Sequence, residues 1–251
     1  MKKIYQYVWK SRFRILVEVI LTIRGILFVG SRYTCPCCGW RLRGFTYGGI
    51  SFRARHLGYC PRCHAKARHR RIWLYLEQKT NLFSAPLRLL HVSPEYSFSR
   101  RLVKMPNLDY FGVDQNVFPN VRIYMDLVST PFRAEVFDAI ICIHVLEHIE
   151  DDRRALRELY RVLKPGGWAV VSVPIRLDQK TFEDPTITLP EERERAFGET
   201  AHVRFYGYDL MDRLREQGFR VHLDRGDEVD LPTRMKYGLR DDESIFFCTK
   251  A

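Results

Sequence analysis

The stretch that decides the fold is "FDAIICIHVLEHIEDDRRALRELYRVLKPGGWAVVSVP", residues 137–174. Its first part, 137–145, is almost wholly apolar, as expected of a strand that is buried on both faces. Residues 151–167 predict an amphipathic helix that begins with two acids and is ended by Pro165-Gly166-Gly167. A second apolar strand is predicted at 168–174. This order indicates a strand–helix–strand unit whose two strands lie parallel in one sheet.

The same alternation extends toward the N-terminus. Short apolar strands are predicted at 87–92 and 109–114, and "RRIWLYLEQ" predicts a helix that leads into the first of them. Residues 67–251 therefore predict a single α/β domain with a doubly wound, mostly parallel sheet. Ligands of such sheets bind beyond the carboxyl ends of the strands, which places residues 91–95, Asp114 and residues 144–148 around one crevice.

Residues 87–247 resemble the class I S-adenosylmethionine-dependent methyltransferases of the type 11 group, most closely in the HVLEH and KPGG turns of 137–174. The resemblance implies a Rossmann-like sheet of seven strands and S-adenosylmethionine as the cofactor. In this family an acid at the end of the second strand binds the ribose hydroxyls, and Asp114 occupies that position. The resemblance also places Asp126 near the adenine and gives Ile143 and His144 to the pocket lining.

The loop after the first strand departs from the family pattern, which is acid-x-Gly-x-Gly. Here His91 stands at the acid, Ser93 at the first glycine and Glu95 at the second. Glycine serves in such loops because it tolerates positive φ and lets the backbone approach the ligand. Ser93 followed by Pro94 predicts instead an N-cap and a first helical residue. We predict that His91, Ser93 and Glu95 all bind the cofactor, with the Glu95 carboxylate at its ammonium.

Four of the seven cysteines form two close pairs with 21 residues between them. The pairs are Cys35 with Cys38 and Cys60 with Cys63. Two such pairs about 20 residues apart predict a structural zinc site with four thiolate ligands. Cys37, His64 and His69 are the alternative ligands. We assign residues 32–66 to a zinc-ribbon-like module, whose small core would make folding depend on the metal.

The front of the chain is strongly basic. Residues 1–80 hold 17 Lys and Arg against two acids, a net charge of +15, whereas the rest of the chain has a net charge of −4. Residues 1–31 predict a basic amphipathic helix that is too interrupted by charge to span a membrane. Its polar stripe is Ser11, Arg14, Glu18, Thr22 and Gly25. Three roles stay open for its apolar remainder: packing on its own protein, lying in a membrane interface, or an oligomer contact.

Residues 175–207 form an insertion where contacts with the methyl acceptor are expected. Its polar side chains without an obvious structural role are Glu183, Asp184, His202, Arg204 and Tyr206. We predict His202 as the catalytic base, because histidine suits proton transfer near neutral pH, with His144 as the second candidate. The alternative is a polar lid whose side chains bond only to one another.

Together these features predict a methyltransferase whose acceptor is a small molecule, a glycan or a lipid-linked substrate. An RNA methyltransferase that grips RNA with its basic zinc module is the first alternative. The second is a zinc-bearing binding protein on a degenerate methyltransferase fold. The total of seven cysteines is odd, and four of them lie in two close pairs, which favours a reducing compartment over a disulfide framework. We therefore expect a cytoplasmic protein that binds the inner face of an anionic membrane. The oligomeric state stays open.

Overall fold

A computed structural model of the protein describes residues 16–47, 54–116 and 121–251. The elements of its front part are α1 (16–27), β1 (Val29–Thr34), β2 (Arg41–Leu42), β3 (Phe45–Thr46) and β4 (Ala54–Arg55). Strands β1 and β2 form one antiparallel pair, and β3 and β4 form another. The basic residues Lys2, Lys3, Lys10 and Arg12 and the stripe residues Ser11 and Arg14 lie outside the described residues.

Helices and strands alternate through the remainder of the chain. The elements up to the middle are α2 (Ala67–Lys79), β5 (Leu87–Val92), α3 (Tyr96–Leu102), β6 (Leu108–Asp114), β7 (Ile123–Tyr124), β8 (Phe137–Ile143), α4 (Asp152–Val162) and β9 (Leu163–Ser172). Those that follow are β10 (Ile175–Arg176), β11 (Phe182–Glu183), α5 (Pro190–Phe197), β12 (Arg204–Gly207), α6 (Leu210–Glu216), β13 (Arg220–Asp224), α7 (Leu231–Tyr237) and β14 (Ile245–Thr249).

The central sheet has seven strands in the order β13-β14-β9-β8-β5-β6-β7. Strand β14 runs antiparallel to both of its neighbours, and the other pairings are parallel. This confirms the predicted Rossmann-like, mostly parallel seven-stranded sheet. From β5 the chain first adds β6 and β7 on one side of the sheet and then β8 and β9 on the other side. The loops after β5 and β8 therefore leave in opposite directions, and a crevice lies between them.

Two predicted boundaries were wrong. Helix α4 ends at Val162, and residues 163–167 already belong to strand β9, since Pro165 cannot continue a helix and Gly166 adopts a φ of +75°. Helix α3 begins at Tyr96 with Glu95 as its N-cap, and not at Pro94. The cause is Ser93, whose φ of +49° turns the chain before the helix can start.

The cysteine module and one face of the sheet share a single hydrophobic cluster, which includes Phe28, Phe45, Trp73 and Phe98. A second cluster, against α4 and α6, fills the other face. Buried Arg70 fastens the module further, because its guanidinium lies 3.6 Å from the Phe45 ring centroid. That guanidinium also donates to four backbone oxygens, those of Gly58, Ala65, Tyr237 and Gly238. Charge-assisted bonds of this kind are among the stronger hydrogen bonds in proteins.

Helix α1 turns its polar side toward the protein. Arg24 is only 6% exposed and donates to the Thr46 hydroxyl at 3.1 Å, while Glu18 binds Arg62 at 3.1 Å and also the Tyr96 hydroxyl. The apolar side chains on the opposite face are 44–60% exposed, and they are Leu16, Val19, Ile20, Ile23, Ile26 and Leu27. A water-soluble helix normally does the reverse. Among the described residues, no helix is long and apolar enough to cross a membrane.

Candidate active site

The carboxyl ends of β5, β6 and β8 open into a cavity of about 580 Å³. Ser93 lines it after β5, Asp114 at the end of β6 and His144 after β8. Chain segments that are 20 to 50 residues apart in sequence thus meet at one edge of the sheet, because parallel strands place their carboxyl ends together. This is the crevice that the strand pattern predicts.

Asp114 has the geometry of a prepared acceptor. Its side chain is only 8% exposed, and its two oxygens receive hydrogen bonds from the Ser93 hydroxyl at 2.5 Å and from the Asn116 backbone N–H at 2.6 Å. A carboxylate offers about four acceptor positions, so roughly two stay available toward the cavity. The Asp114 carboxylate is therefore fixed in direction before any ligand binds.

Ser93 occupies the backbone conformation for which glycine is usually selected. Its φ is +49°, in the left-handed region that costs an L-residue about 1–2 kcal/mol. Its N–H donates to the Val113 carbonyl at 2.8 Å, and its hydroxyl donates to Asp114. The loop without glycine thus keeps the positive φ of the glycine loop and adds a side-chain bond to the acid.

His91 and Glu95 lie behind the cavity, and neither contributes to its lining. Fully buried His91 has Nδ1 3.0 Å from the Tyr110 hydroxyl and Nε2 3.0 Å from Glu95 Oε2. Burial raises the pKa of Glu95, but the hydrogen bond with His91 and the nearby His69 outweigh it and leave that pKa below its ordinary value. A direct bond from Glu95 to a cofactor ammonium stays a prediction.

His144 lines the cavity and has a φ of +51°, so both crevice loops carry a residue in the left-handed region. Its Nδ1 lies 3.2 Å from Glu147 Oε1. Burial lowers the pKa of His144 to about 3 and raises that of Glu147 to about 7. An imidazole with so low a pKa is a weak proton acceptor at neutral pH, so its position suits shaping the pocket better than acting as a base.

The other two predicted cofactor residues differ in position. Asp126 lines the cavity and also caps its own turn, because its carboxylate accepts the Val128 backbone N–H at 3.0 Å. Ile143 is 2% exposed and packs in the hydrophobic core. The part of the cavity lining that follows β8 begins at the next residue, His144.

Several lining residues were missed by the sequence reasoning. Gln115 and Asn116 directly follow Asp114 at the strand end, and Leu127 with Val128 adds an apolar wall. The signal for the first two was their place immediately beyond a strand. His148 also lines the cavity: residues 144–148 were expected around the crevice, but no contact with the cofactor was assigned to His148.

Residues of the insertion hold this turn in place. Arg204, 4% exposed, donates to the carbonyls of Leu146, Ile149 and Glu150, and its Nε bonds Glu183 at 2.8 Å. Buried Tyr206 donates to Asp152 at 2.8 Å, and half-buried Asp184 accepts the Thr186 backbone N–H at 2.9 Å. These four polar side chains, Glu183, Asp184, Arg204 and Tyr206, thus have structural partners that the sequence did not reveal.

His202, the predicted base, is 6% exposed and does not line the cavity. Its ring makes an edge-on contact with that of His148, with 4.7 Å between the ring centroids. His202 is therefore one side chain away from the cavity wall, and its role as a base stays a prediction.

The four predicted zinc ligands meet in one place. The sulfur atoms of Cys35 and Cys63 are 3.6 Å apart, those of Cys38 and Cys60 are 3.7 Å apart, and all four lie within 4.8 Å of one another. A tetrahedral zinc ion with Zn–S bonds of 2.3 Å would separate its sulfur atoms by about 3.8 Å. The alternative ligands Cys37, His64 and His69 lie outside this cluster.

The two cysteine turns have the same construction. Each ends in a residue with left-handed backbone, Gly39 in the first at φ +77° and His64 in the second at φ +61°. The N–H of each donates to the carbonyl of the first cysteine of its pair, at 2.7 and 2.8 Å. The His64 ring packs on the Tyr59 ring, with 4.4 Å between the two ring centroids. Two matched turns present their thiols to one point, as a shared metal requires.

Residues 100–171 match a family model whose description is "Methyltransferase domain". This match covers the end of α3 through most of β9, including Asp114 and the second crevice loop. The part of the chain that carries Asp114 and the second crevice loop is therefore similar to a methyltransferase domain.

Curated proteins match over short stretches. The chain is 45% identical over 51 residues to a tRNA (carboxymethyluridine(34)-5-O)-methyltransferase of Arabidopsis thaliana, with 19% of this chain and 13% of that protein covered. It is 48% identical over 46 residues to a demethylmenaquinone methyltransferase of Streptomyces griseus, with 18% and 20% covered. The chain thus spans no more than a fifth of the length of these relatives.

Solved structures share the fold over most of the chain. A SAM-dependent methyltransferase from Archaeoglobus fulgidus aligns with a TM-score of 0.50 and 15% identity, covering 74% of this chain and 95% of that one. The [4+2]-cyclase SpnF aligns with a TM-score of 0.50 and 16% identity, covering 86% and 90%. At these identities the comparison establishes the fold, and the reaction must be argued from the site.

Proposed function

We propose that the protein is an S-adenosylmethionine-dependent methyltransferase. The observation that carries this proposal is Asp114, a nearly buried carboxylate fixed by Ser93 and Asn116 at the end of the second parallel strand. A fixed acceptor at this place suits the two hydroxyls of a ribose. The match of residues 100–171 to a methyltransferase domain supports the same cofactor.

The residues that line the cavity would each contact a different part of the cofactor. Bound S-adenosylmethionine supplies an activated methyl group on a sulfonium. Asp114 would accept from the ribose hydroxyls, Leu127 and Val128 would cover the adenine, and Asp126 would accept from its amine. Ser93 and His144 would set the width of the crevice between the two loops. Catalysis then rests on orientation of the acceptor for in-line displacement.

We propose that Cys35, Cys38, Cys60 and Cys63 bind one structural zinc ion. Four thiolates complete a tetrahedral shell, so no position stays open for chemistry. The module then holds β1 and β2 beside α1. In this way the metal would support the surface that α1 presents.

The partner we propose for this surface is an anionic membrane or a lipid-linked acceptor. The exposed face of α1 is wholly apolar, from Leu16 to Leu27. Three cations, Arg62, Arg100 and Lys104, line a depression beside Val19 and Ile23 on the same helix. Only one acid, Glu18, lines it with them. Apolar burial and attraction to anionic headgroups would add together at such a site.

RNA is the second candidate partner. The observations in its favour are the excess of basic residues in 1–80 and the stretch shared with a tRNA methyltransferase. RNA binding would use the cations but would leave the apolar face of α1 in water. For this reason we rank the membrane or lipid-linked acceptor above RNA.

Transfer of labelled methyl groups tests the proposal. The full chain would be incubated with methyl-labelled S-adenosylmethionine and either a lipid-linked glycan extract or bulk RNA. We expect label in the lipid-linked fraction, its loss in Asp114→Ala, and its retention in Asp109→Ala. Asp109 is the matched control, because it is an exposed acid on the same strand that pairs with Arg88.

The other outcomes separate the alternatives. Label in RNA alone would reverse the ranking of the two candidate partners and place RNA first. A protein that binds no cofactor and transfers no methyl group would fit the second alternative, a zinc-bearing binding protein on a degenerate methyltransferase fold.

A further inference from the structure

His148 and His202 are oriented as metal ligands are. Each ring has its Nδ1 3.2 Å from a backbone carbonyl, that of Ala201 for His148 and that of Phe197 for His202. A carbonyl only accepts, so Nδ1 carries the proton in both rings and a neutral imidazole leaves a lone pair on Nε2. Metal-binding histidines are commonly fixed in this manner, with the second nitrogen donating to a carbonyl.

Glu147 supplies a carboxylate at the same point. It is 1% exposed, and neither of its side-chain oxygens has a hydrogen-bond partner among the described residues. Its contact with His144 Nδ1, at 3.2 Å, lacks the direction of a hydrogen bond. A buried carboxylate without a partner is costly unless a cation or a proton accompanies it.

A second unfavourable contact lies beside the two rings. Glu199 Oε2 is 3.3 Å from His202 Nε2, so a carboxylate oxygen faces a nitrogen lone pair when His202 is neutral. A positive charge between them would turn this repulsion into a bond. Glu199 is well exposed and so is free to move toward or away from such a charge.

We propose that Glu147, His148 and His202 bind a divalent transition-metal ion, with Zn²⁺ as the first choice. Their ligand atoms lie within 4.8 Å of one another, whereas a tetrahedral ion with bonds of about 2.05 Å needs them about 3.3 Å apart. A small tilt of the exposed His148 ring that keeps its bond to the Ala201 carbonyl can supply that adjustment. Two imidazoles and one carboxylate are a donor set that zinc accepts, and three protein ligands leave a fourth position open.

The position of this ion deepens the proposed function, on which this step rests. His148 also lines the cofactor cavity, so the open coordination position would lie at the cavity mouth. An acceptor hydroxyl bound there would lose its proton more readily, to solvent water or to the exposed Glu199 carboxylate beside the site. The substrate class that fits is therefore an acceptor with a hydroxyl group, and His202 would serve as a ligand and not as the base.

Metal stoichiometry tests the site independently of methyl transfer. Tag-free full-length protein would be dialysed against excess Zn²⁺, separated from free ion, and measured by elemental analysis. We expect two zinc ions per chain in the wild type, one at the cysteines and one at this site. His148→Ala and His202→Ala should each hold one, and His222→Ala, on strand β13, should keep two.

Cobalt substitution distinguishes the two sites directly. Co²⁺ bound by four thiolates gives intense charge-transfer absorption, and Co²⁺ bound by nitrogen and oxygen ligands does not. We expect His148→Ala to retain the thiolate bands while losing one equivalent of cobalt. A wild type with a single zinc ion, or both histidine variants with two, would overturn the proposal. Cofactor calorimetry on the same samples shows separately whether the methyltransferase function stands.

Discussion

The described front of the chain, residues 16–47 and 54–66, and the α/β domain that follows it from residue 67 bury their surfaces in different ways. In the domain, apolar strands such as β8 are buried, and the apolar side chains that are exposed are scattered over several elements. In α1 the charged residues Glu18 and Arg24 face the protein, and the apolar face is exposed. Exposed apolar patches of this kind commonly mark interaction surfaces, and this difference is why we propose an apolar partner for the front and not for the domain.

The means of stabilisation differ as well. The domain is held by two hydrophobic clusters around its sheet. The front has little core of its own, because its buried apolar side chains, such as Phe28 and Phe45, join the cluster on one face of the sheet. It depends further on the proposed zinc at its four clustered thiols and on Arg70, which donates to backbone oxygens of Gly58 and Gly238, on both sides of the junction. Removal of a metal ligand should therefore affect the two regions unequally.

The largest effect is expected from Cys60→Ser. Loss of one thiolate should release the zinc and make residues 16–66 sensitive to protease, because metal binding supplies much of the folding free energy of so small a module. Elemental analysis and limited proteolysis would measure both. Cys37→Ser is the control, since Cys37 lies outside the cluster and should keep the metal. Loss of zinc in Cys37→Ser with retention in Cys60→Ser would contradict the ligand assignment.

The second-largest effect is expected from substitutions on the exposed apolar face of α1. The double substitution Ile23→Glu and Ile26→Glu should lower affinity for anionic vesicles at least about tenfold, because it places charge where apolar surface would be buried. A flotation assay measures this. Leu231→Glu with Met235→Glu is the matched control, since both side chains are also exposed and lie on α7. Equal loss in both double variants would mean that α1 is not the membrane contact.

A smaller effect is expected in the crevice itself. Ser93→Ala removes the bond to Asp114 and keeps the strained φ, whereas Ser93→Gly removes the same bond and relieves the strain. The glycine variant should be more stable than the alanine variant by about 1 kcal/mol. Chemical denaturation would give the difference. The reverse order of stability would show that φ at Ser93 carries no strain.

Local patterns allowed most of the fold to be predicted from the sequence. The strand–helix–strand pattern of 137–174 specifies its own elements, and the cysteine spacing specifies a cluster. The inversion of α1 could not be predicted, because an amphipathic pattern does not say which face packs against the protein. The contacts of Arg204 with residues 146–150 join positions more than 50 residues apart, and no local signal marks such a pair.

The positive φ of Ser93 could not be predicted from the sequence either, because the local pattern favours a different conformation. Serine followed by proline is a good start for a helix, and that local preference predicted a different turn. The requirement of the crevice prevailed, because the hydroxyl of Ser93 bonds Asp114 across the cavity edge. Departures from local preference concentrate at functional loops, which agrees with the cofactor site that we propose at this crevice.

Calorimetry with S-adenosylhomocysteine tests most directly whether this loop without glycine binds the cofactor. We expect the wild type to bind one equivalent of S-adenosylhomocysteine and Asp109→Ala to bind it with the same affinity. Asp114→Ala should bind more weakly by about 1.5–3 kcal/mol, the cost of losing hydrogen bonds to a charged group. Absence of heat and of any thermal shift in the wild type at millimolar ligand would contradict a cofactor site at Asp114.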